Sequence, residues 1–354
     1  MSQNQEIRIV SVKNVEITDV PIPDLPSEEY ILVRTTAVAV NPSDWKHMVY
    51  AEELCCVGAR LGYDYAGVVE KVGSAVTKDF KKGDRIAGFT HGANGQRQSD
   101  GAFAKYIIVK GDIQMKIPDH FTDEEAATLG VSVATVGQGL YQALKLPLPN
   151  EPTKEPFPVL IYGGSTATGV YAIQFAKLSG LKVIATSSPH NFDYLKSIGA
   201  DAVFDYKSPT VVEDIRNYAN GALTVAYDCH AGDGSNVLCA RCLSDDGGRI
   251  HALLGPNEED IKAVNPKIES SFTAAYSVVG EGYHSWGKVV PPSPEDFEFA
   301  KTFMSIVQEL LDQGKVKPIR IAKNRGGESL QGVLSGLKEQ QEGKVSGEKL
   351  VYTI

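Results

Sequence analysis

The sequence predicts an α/β protein in which a doubly wound parallel sheet is inserted into a β-barrel unit. Three observations carry that reading. Short strand-like segments punctuated by Gly, Pro, Asn and Asp fill residues 1–120. From residue 159 onward, strands and helices alternate with short links. The last residues, KLVYTI (349–354), return to the strand pattern. Many short strands with Gly-rich turns suit a barrel or sandwich, whereas strand–helix alternation suits a parallel sheet. A chain of 354 residues also fits about two domains of ~150 residues each.

In chain order, EIRIV (6–10), YILVRTTAVAV (30–40), YAGVVEKVG (65–73), DRIAG (84–88) and FAKYIIV (103–109) read as strands. Alternation within ILVRTTAVAV marks a half-buried strand. Thr122, with Glu125 three residues on, forms a capping box that starts a helix. After the loop at 147–158, VLIY (159–162) is a buried strand and GVYAIQFAKLSG (169–180) an apolar helix. KVIATS (182–187) is a strand, FDYLKSIGA (192–200) a helix and AVFDY (202–206) a strand. LTVAYDC (223–229), GRIHALLG (248–255) and FTAAYSVVG (272–280) read as later strands. Residues 295–314 form a helix that stops at Gly314. These elements place the β unit at 1–122 and 297–354 and the parallel-sheet domain at 123–296.

Composition excludes several classes. No apolar run approaches the ~18 residues of a membrane span. The start, MSQNQEIRIV, has no basic region followed by an apolar block, so a cytoplasmic protein is expected. A net charge of −9 disfavours binding to nucleic acid or anionic membrane. Five cysteines in 354 residues argue against a disulfide framework and fit a reducing compartment. Cys239-x-x-Cys242 has no second pair and reads as two half-buried helix thiols. His91, His251 and His284 have no evident partner and read as structural.

The sharpest local feature is VLIYGGSTATGVYAIQFAKLSG (159–180). A buried strand enters a Gly-rich turn and a helix leaves it, which is the context of a dinucleotide fingerprint. Gly164 makes the tight turn, and Gly169 lets the helix approach the strand. Ser165, Thr166, Ala167 and Thr168 surround a helix N-terminus whose unpaired N–H groups suit a pyrophosphate. An ordinary βα turn is the alternative. NAD-binding members of such folds end the next strand in a carboxylate that holds the ribose 2′-hydroxyl. Here that strand runs into Ser188, Pro189, His190 and Asn191, with no carboxylate between Gly169 and Asp193. This neutral, polar end favours NADP(H), with Tyr206 near the adenosine phosphate.

The chain resembles the medium-chain dehydrogenase/reductase superfamily nearly end to end. The resemblance rests on NPSDWK (41–46), GYDYAGVVEKVGSAVTKDFKKGDRIAG (62–88), GAFAKYIIV (101–109), the glycine turn and GKVSGEKLVYTI (343–354). More narrowly, GGSTATG, SSPHNF and SGEKL resemble fungal trans-acting enoyl reductases that serve polyketide synthases. The resemblance implies a GroES-like catalytic barrel with an inserted Rossmann domain. Zinc members of the superfamily carry Cys before the Ser-Asp of the first motif and His-Glu after the glycine of the second. This chain has Asn41-Pro42 and Tyr63-Asp64 there, and no cysteines near 90–110. A zinc-independent enzyme with no metal ligands is expected.

The implied chemistry is hydride delivery from NADPH to the β-carbon of an α,β-unsaturated carbonyl compound. Lys46 is the first candidate near the chemistry, with Ser43 and Asp44 lining the same loop. Tyr63 is a candidate donor to the α-carbon, with solvent donation and a packing role as alternatives. Thr135 matches a helix position facing the nicotinamide, and Gly130 and Ser132 belong to the same substrate-lining segment. Leu253, Leu254, Val345 and Ser346 match cofactor-facing positions. Ala275, Tyr276, Ser277, Val278, Val279 and Gly280 are expected to wall the acyl pocket from a sheet-edge strand. That edge commonly pairs subunits in the superfamily, and the Pro-rich insert at 281–296 resembles that of monomeric reductases. A monomer acting on acyl-carrier-bound polyketide is therefore expected. The alternatives are a stand-alone quinone or enal reductase, and an NADPH-binding isomerase without net reduction.

Overall fold

The computed structural model describes residues 3–354. The chain divides into two compact units, Met1–Ala134 with Tyr276–Ile354, and Thr135–Ala275.

The first unit opens with an antiparallel hairpin, β1 (Gln3–Ser11) and β2 (Asn14–Pro21). Its central strand is β3 (Tyr30–Ala39), followed by helix α1 (Pro42–Val49). β4 (Asp64–Val72), β5 (Arg85–Phe89), β6 (Tyr106–Lys110) and β7 (Met115–Lys116) complete its N-terminal part. β3 pairs antiparallel with both β4 and β6, and β4 with β5. Inward residues Ile31 and Val33 of β3 pack with Tyr65, Val69, Ile86 and Ile107 in one core, as the period-2 pattern requires. Short helices α2 (Asp123–Ala126) and α3 (Gly130–Val136) follow, and α3 runs into a π-helical turn, Gly137–Ala143. Thr122 caps α2 as expected: its Oγ1 accepts from Glu125 N–H at 3.2 Å, and Glu125 accepts from Thr122 N–H at 3.0 Å.

The second unit is a parallel βα array. It runs β8 (Pro158–Tyr162), α4 (Ala167–Leu178), β9 (Lys182–Ser187), α5 (Phe192–Ser197), β10 (Ala202–Asp205) and α6 (Val211–Tyr218). It continues β11 (Val225–Asp228), α7 (Ser235–Cys242), β12 (Gly248–Ala252), α8 (Glu258–Val264) and β13 (Ile268–Phe272). The sheet order β10-β9-β8-β11-β12-β13 reverses direction beside β8. β8 is a continuous apolar run and β9 is buried from Val183 to Ser187, as suits strands with helices on both faces of the sheet.

The chain then rejoins the first unit through a hairpin of β14 (Tyr283–Ser285) and β15 (Lys288–Val290). α9 (Pro294–Asp312), β16 (Ile321–Lys323), α10 (Ser329–Gln341) and β17 (Lys349–Thr353) follow. β17 pairs antiparallel with β3, Tyr352 opposite Val38, so the parallel-sheet unit is nested within the β unit.

One expectation changes. No strand spans 272–280: β13 stops at Phe272, where its last partner on β12 is Ala252, and Ala275–Val279 form a 3₁₀ turn. Without a neighbouring ladder, the backbone satisfies itself locally. The compact units divide at 134/135 and 275/276. Asp123 accepts from Thr36 Oγ1 at 2.6 Å and Arg85 Nε at 2.8 Å, which fastens α2 to the first unit. Glu281 accepts from Tyr30 Oη at 2.5 Å and Lys110 Nζ at 3.3 Å, which does the same for the insert. Among the described residues, no helix is long and apolar enough to cross a membrane.

Candidate functional site

The glycine turn follows β8. Gly163 adopts φ +73°, a conformation that L side chains resist. Gly163 N–H donates to Thr186 Oγ1 at 3.0 Å and Gly164 N–H to Thr186 O at 2.8 Å, so the turn is laced to β9. Thr166 caps α4: its Oγ1 accepts from Gly169 N–H at 3.0 Å and donates to Gly163 O at 2.8 Å. The Thr166 hydroxyl is thus engaged by the turn itself. Ser165 and Thr168 are half-buried, flank Ala167 at the helix start, and have no side-chain hydrogen bond among the described residues. A Cβ on Gly169 would lie 2.3 Å from Gly163 O, so the close helix–turn approach requires glycine there.

At the end of β9, Ser187 is buried and its Oγ has no hydrogen-bond partner among the described residues. Ser188 is half-buried, and Pro189 and His190 are exposed on a short 3₁₀ turn. Asn191 is buried, with Nδ2 3.1 Å from His190 Nε2. Tyr206, partly exposed after β10, lies edge-on to Tyr162 with ring centroids 6.3 Å apart. The Lys207 ammonium sits 5.6 Å from the Tyr206 ring. Sequence reasoning passed over this cation, although it directly follows Tyr206. Leu253 is half-buried, with its N–H on Asp228 O at 3.2 Å, and Leu254 is exposed. Both follow the C-terminal end of β12. Thr135 is half-buried, and its carbonyl accepts from Tyr227 Oη at 3.0 Å.

In the first unit, Pro42 opens α1 and Asp44 secures it. Asp44 is fully buried and accepts from Asn41 N–H at 2.7 Å and Gly62 N–H at 3.1 Å. It therefore fastens the start of the helix to the backbone before β4. Ser43 is half-buried, and its carbonyl accepts from His47 Nδ1 at 2.8 Å. Lys46 is half-buried, with Nζ 5.8 Å from the Trp45 ring. No hydrogen bond or ion pair reaches its ammonium among the described residues, and burial lowers its pKa below the ordinary lysine value.

Tyr63 is fully buried. Its ring stacks between Phe89 and Tyr276, with centroids 6.3 and 5.6 Å away, and its Oη lies 3.0 Å from His47 Nδ1. Burial first, and Tyr276 second, push its pKa well above the usual 10, so the hydroxyl stays protonated. The stack continues to His91, whose ring lies 4.4 Å from Tyr276. Packing thus engages Tyr63 on every side, which weighs against its acting as a freely available acid. Of the segment expected to wall the acyl pocket, Ala275, Val278 and Val279 are buried, and Tyr276, Ser277 and Gly280 are half-buried. Val345 is half-buried and Ser346 exposed in the loop before β17.

A buried ion pair occupies the ground beside Tyr63. Lys349 Nζ lies 2.5 Å from Asp64 Oδ2 and 3.0 Å from Asn41 Oδ1. Asp64 also accepts from Asn41 Nδ2 at 2.8 Å and Val131 N–H at 2.5 Å. One carboxylate therefore joins β17, the N-cap of α1 and the start of α3, beside Gly130 and the buried Ser132. A Cβ on Gly130 would lie 2.4 Å from Asp64 Oδ1. Among the described residues, no three His, Cys, Asp or Glu side chains converge as a metal site would require. Sequence reasoning missed Lys349 altogether.

Comparison with known proteins places this geometry. Residues 27–119 match the alcohol dehydrogenase GroES-like domain, and residues 167–292 match the zinc-binding dehydrogenase family. The chain is 49% identical to a trans-enoyl reductase of Cochliobolus carbonum over 81% of its own length and 94% of the relative's. It is 42% identical to a trans-enoyl reductase of Alternaria alternata over the whole of both chains. The chain belongs to the trans-enoyl reductase family of medium-chain dehydrogenase/reductases. Solved structures share this family's fold. The CurK enoyl reductase superposes with a TM-score of 0.75 at 18% identity over 99% of both chains. An alcohol dehydrogenase superfamily protein from Novosphingobium aromaticivorans superposes with a TM-score of 0.79 at 20% identity over both whole chains. The first unit is thus the GroES-like part of a trans-enoyl reductase, and the second its Rossmann-type part.

Proposed function

We propose that this trans-enoyl reductase reduces an α,β-unsaturated polyketide thioester presented on a synthase-borne acyl carrier, using NADPH. The observation that carries the reading is 42% identity to a trans-enoyl reductase over the whole chain and 49% to another over 81% of it. The turn fits a dinucleotide: a strand runs through a Gly-rich corner into the N-terminus of a 12-residue helix. Several features support NADPH over NADH. They are the orphaned Ser187 Oγ, the absence of a carboxylate from Ser187 to Asn191, and the Tyr206–Lys207 pair.

Bound NADPH supplies a hydride for the β-carbon, leaving enolate charge on the thioester oxygen. Lys46 is the residue proposed to meet that charge. Its ammonium is partly desolvated and, among the described residues, has no carboxylate to neutralise it. Ser43 is proposed to act from the same helix, Thr135 at the nicotinamide, and Leu253, Leu254, Val345 and Ser346 along the cofactor. Gly130, Ser132 and residues 275–280 are proposed to line the acyl site. Solvent supplies the α-carbon proton, because Tyr63 is held within its aromatic stack. The enzyme is proposed to act as a monomer in the cytoplasm.

The test offers NADPH with a carrier-bound enoyl thioester and, separately, with a small quinone. Fast turnover of the thioester alone supports the reading. Fast turnover of the quinone alone replaces it with a stand-alone quinone reductase, and tight NADPH binding without oxidation replaces it with a non-reducing role.

A further inference from the structure

We infer that Tyr227 is a positioning residue for hydride transfer, setting Thr135 through a π-helical register. The inference rests on the proposed reductase site and goes beyond it by assigning a residue that acts through Thr135. Three independent features converge on this tyrosine.

First, the helix carrying Thr135 changes register just after it. α3 ends at Val136 and the next turn is π-helical, with Leu144 N–H donating to Gly139 O five residues back at 3.0 Å. A π turn widens the ring of each hydrogen bond and is less stable than an α turn, so it persists where something outside holds it. Second, Tyr227 holds it. The side chain is fully buried, and its hydroxyl donates to Thr135 O at 3.0 Å. Burial keeps the phenol protonated and therefore a donor. Third, Gly139 leaves the space that this contact needs. A Cβ there would stand 2.5 Å from Tyr227 Cζ and 2.6 Å from its Oη.

The position of the tyrosine gives the contact its meaning. Tyr227 is the penultimate residue of β11, opposite Ile161 on β8 and His251 on β12. β8 leads into the glycine turn and β12 leads to Leu253. Ligands of doubly wound sheets bind outside these carboxyl ends, next to where the strand order reverses. The Tyr227 hydroxyl thus ties the backbone of Thr135 to the rigid sheet at the edge where a nicotinamide is presented. A small displacement there changes the hydride-transfer distance, on which rate depends steeply.

The test uses the full chain with NADPH and a crotonyl-pantetheine thioester. Tyr227→Phe keeps the ring and removes the hydroxyl. It should lower kcat about tenfold, leave KM for both substrates within about twofold, and raise the isotope effect on kcat with 4-deuterated NADPH. Gly139→Ala pushes on the same ring and should reproduce that pattern. Thr135→Val should also lower kcat, and adding Tyr227→Phe to it should lower kcat no further. If Thr135→Val turns over normally, the reading of the site fails. If Thr135→Val is impaired while Tyr227→Phe turns over normally, or the two losses multiply, the positioning role of Tyr227 is overturned and the site reading stands. A lower melting temperature with unchanged kcat and isotope effect overturns it as well.

Discussion

Asp64→Asn tests what the buried charge pair contributes. The Lys349 side chain is 2% exposed and the Asp64 side chain 0%, so water screens neither. The substitution removes the carboxylate charge and leaves a buried ammonium with only neutral oxygens around it, Asn41 Oδ1 at 3.0 Å and Thr128 O at 3.5 Å beside the new amide. Breaking a buried pair from one side costs about 3–5 kcal/mol. At roughly 2–4 °C per kcal/mol, melting of the first unit should fall by roughly 6–20 °C. Lys349→Met in the same background removes the stranded charge, and the double variant should recover at least about 2 kcal/mol relative to the sum of the singles. The assay is urea and thermal unfolding of the four proteins of the cycle. Turnover should fall with stability in Asp64→Asn, because the same carboxylate holds the N-cap of the Lys46 helix and Val131 N–H. A loss below about 1 kcal/mol in Asp64→Asn, or strict additivity in the double variant, refutes the idea that this pair organises the site.

Four further outcomes are expected. Lys46→Ala should lower kcat by at least about tenfold with an unchanged melting temperature, as loss of an oxyanion partner does; unchanged kinetics removes Lys46 from the chemistry. Lys207→Ala should raise KM for NADPH about tenfold and leave KM for NADH unchanged, and equal effects on both cofactors would contradict the 2′-phosphate reading. Chelators should leave activity intact, with no stoichiometric zinc on metal analysis, since Asp64 is held by Lys349. Burial lowers the pKa values of His47 and His251 from 6.5 to about 4, and of His91 to about 3. A lowered folded pKa adds stability that is full above pH 6.5 and is lost as pH falls toward 4. His91→Phe should therefore flatten the loss of urea midpoint between pH 6.5 and 4; an unaltered pH profile would refute that assignment.

Local chemistry made much of this protein readable from its amino acids. β8 and β9 are short apolar runs flanked by glycine and polar turns, so both the strands and the corner at Gly163–Gly169 are evident without coordinates. The Thr122–Glu125 box spans one helical turn and is equally local. α6 and α8 escaped notice because they have eight and seven residues and bury Val211 with Ile215, and Ile261, too few for a clear period. α10 also went unread; it carries Gly332 and Gly336, where a Cβ would meet the Tyr352 ring.

What the amino acids alone determined is the strand–helix alternation after residue 159, the Gly-rich turn and the residue types at Asn41-Pro42 and Tyr63, where zinc members of the family carry ligands. Each depends on neighbours within a turn or two, or on which residue type stands at a motif position. The tertiary structure decided how polar atoms are used. Thr166 and Asp44 stand at expected site positions, but backbone groups claim their side chains. Lys349 meets Asp64 across 285 residues, and Tyr227 meets Thr135 across 92. No sequence period encodes such pairs. They exist because a folded interior leaves a buried charge or hydroxyl only the partners that chain topology brings to it.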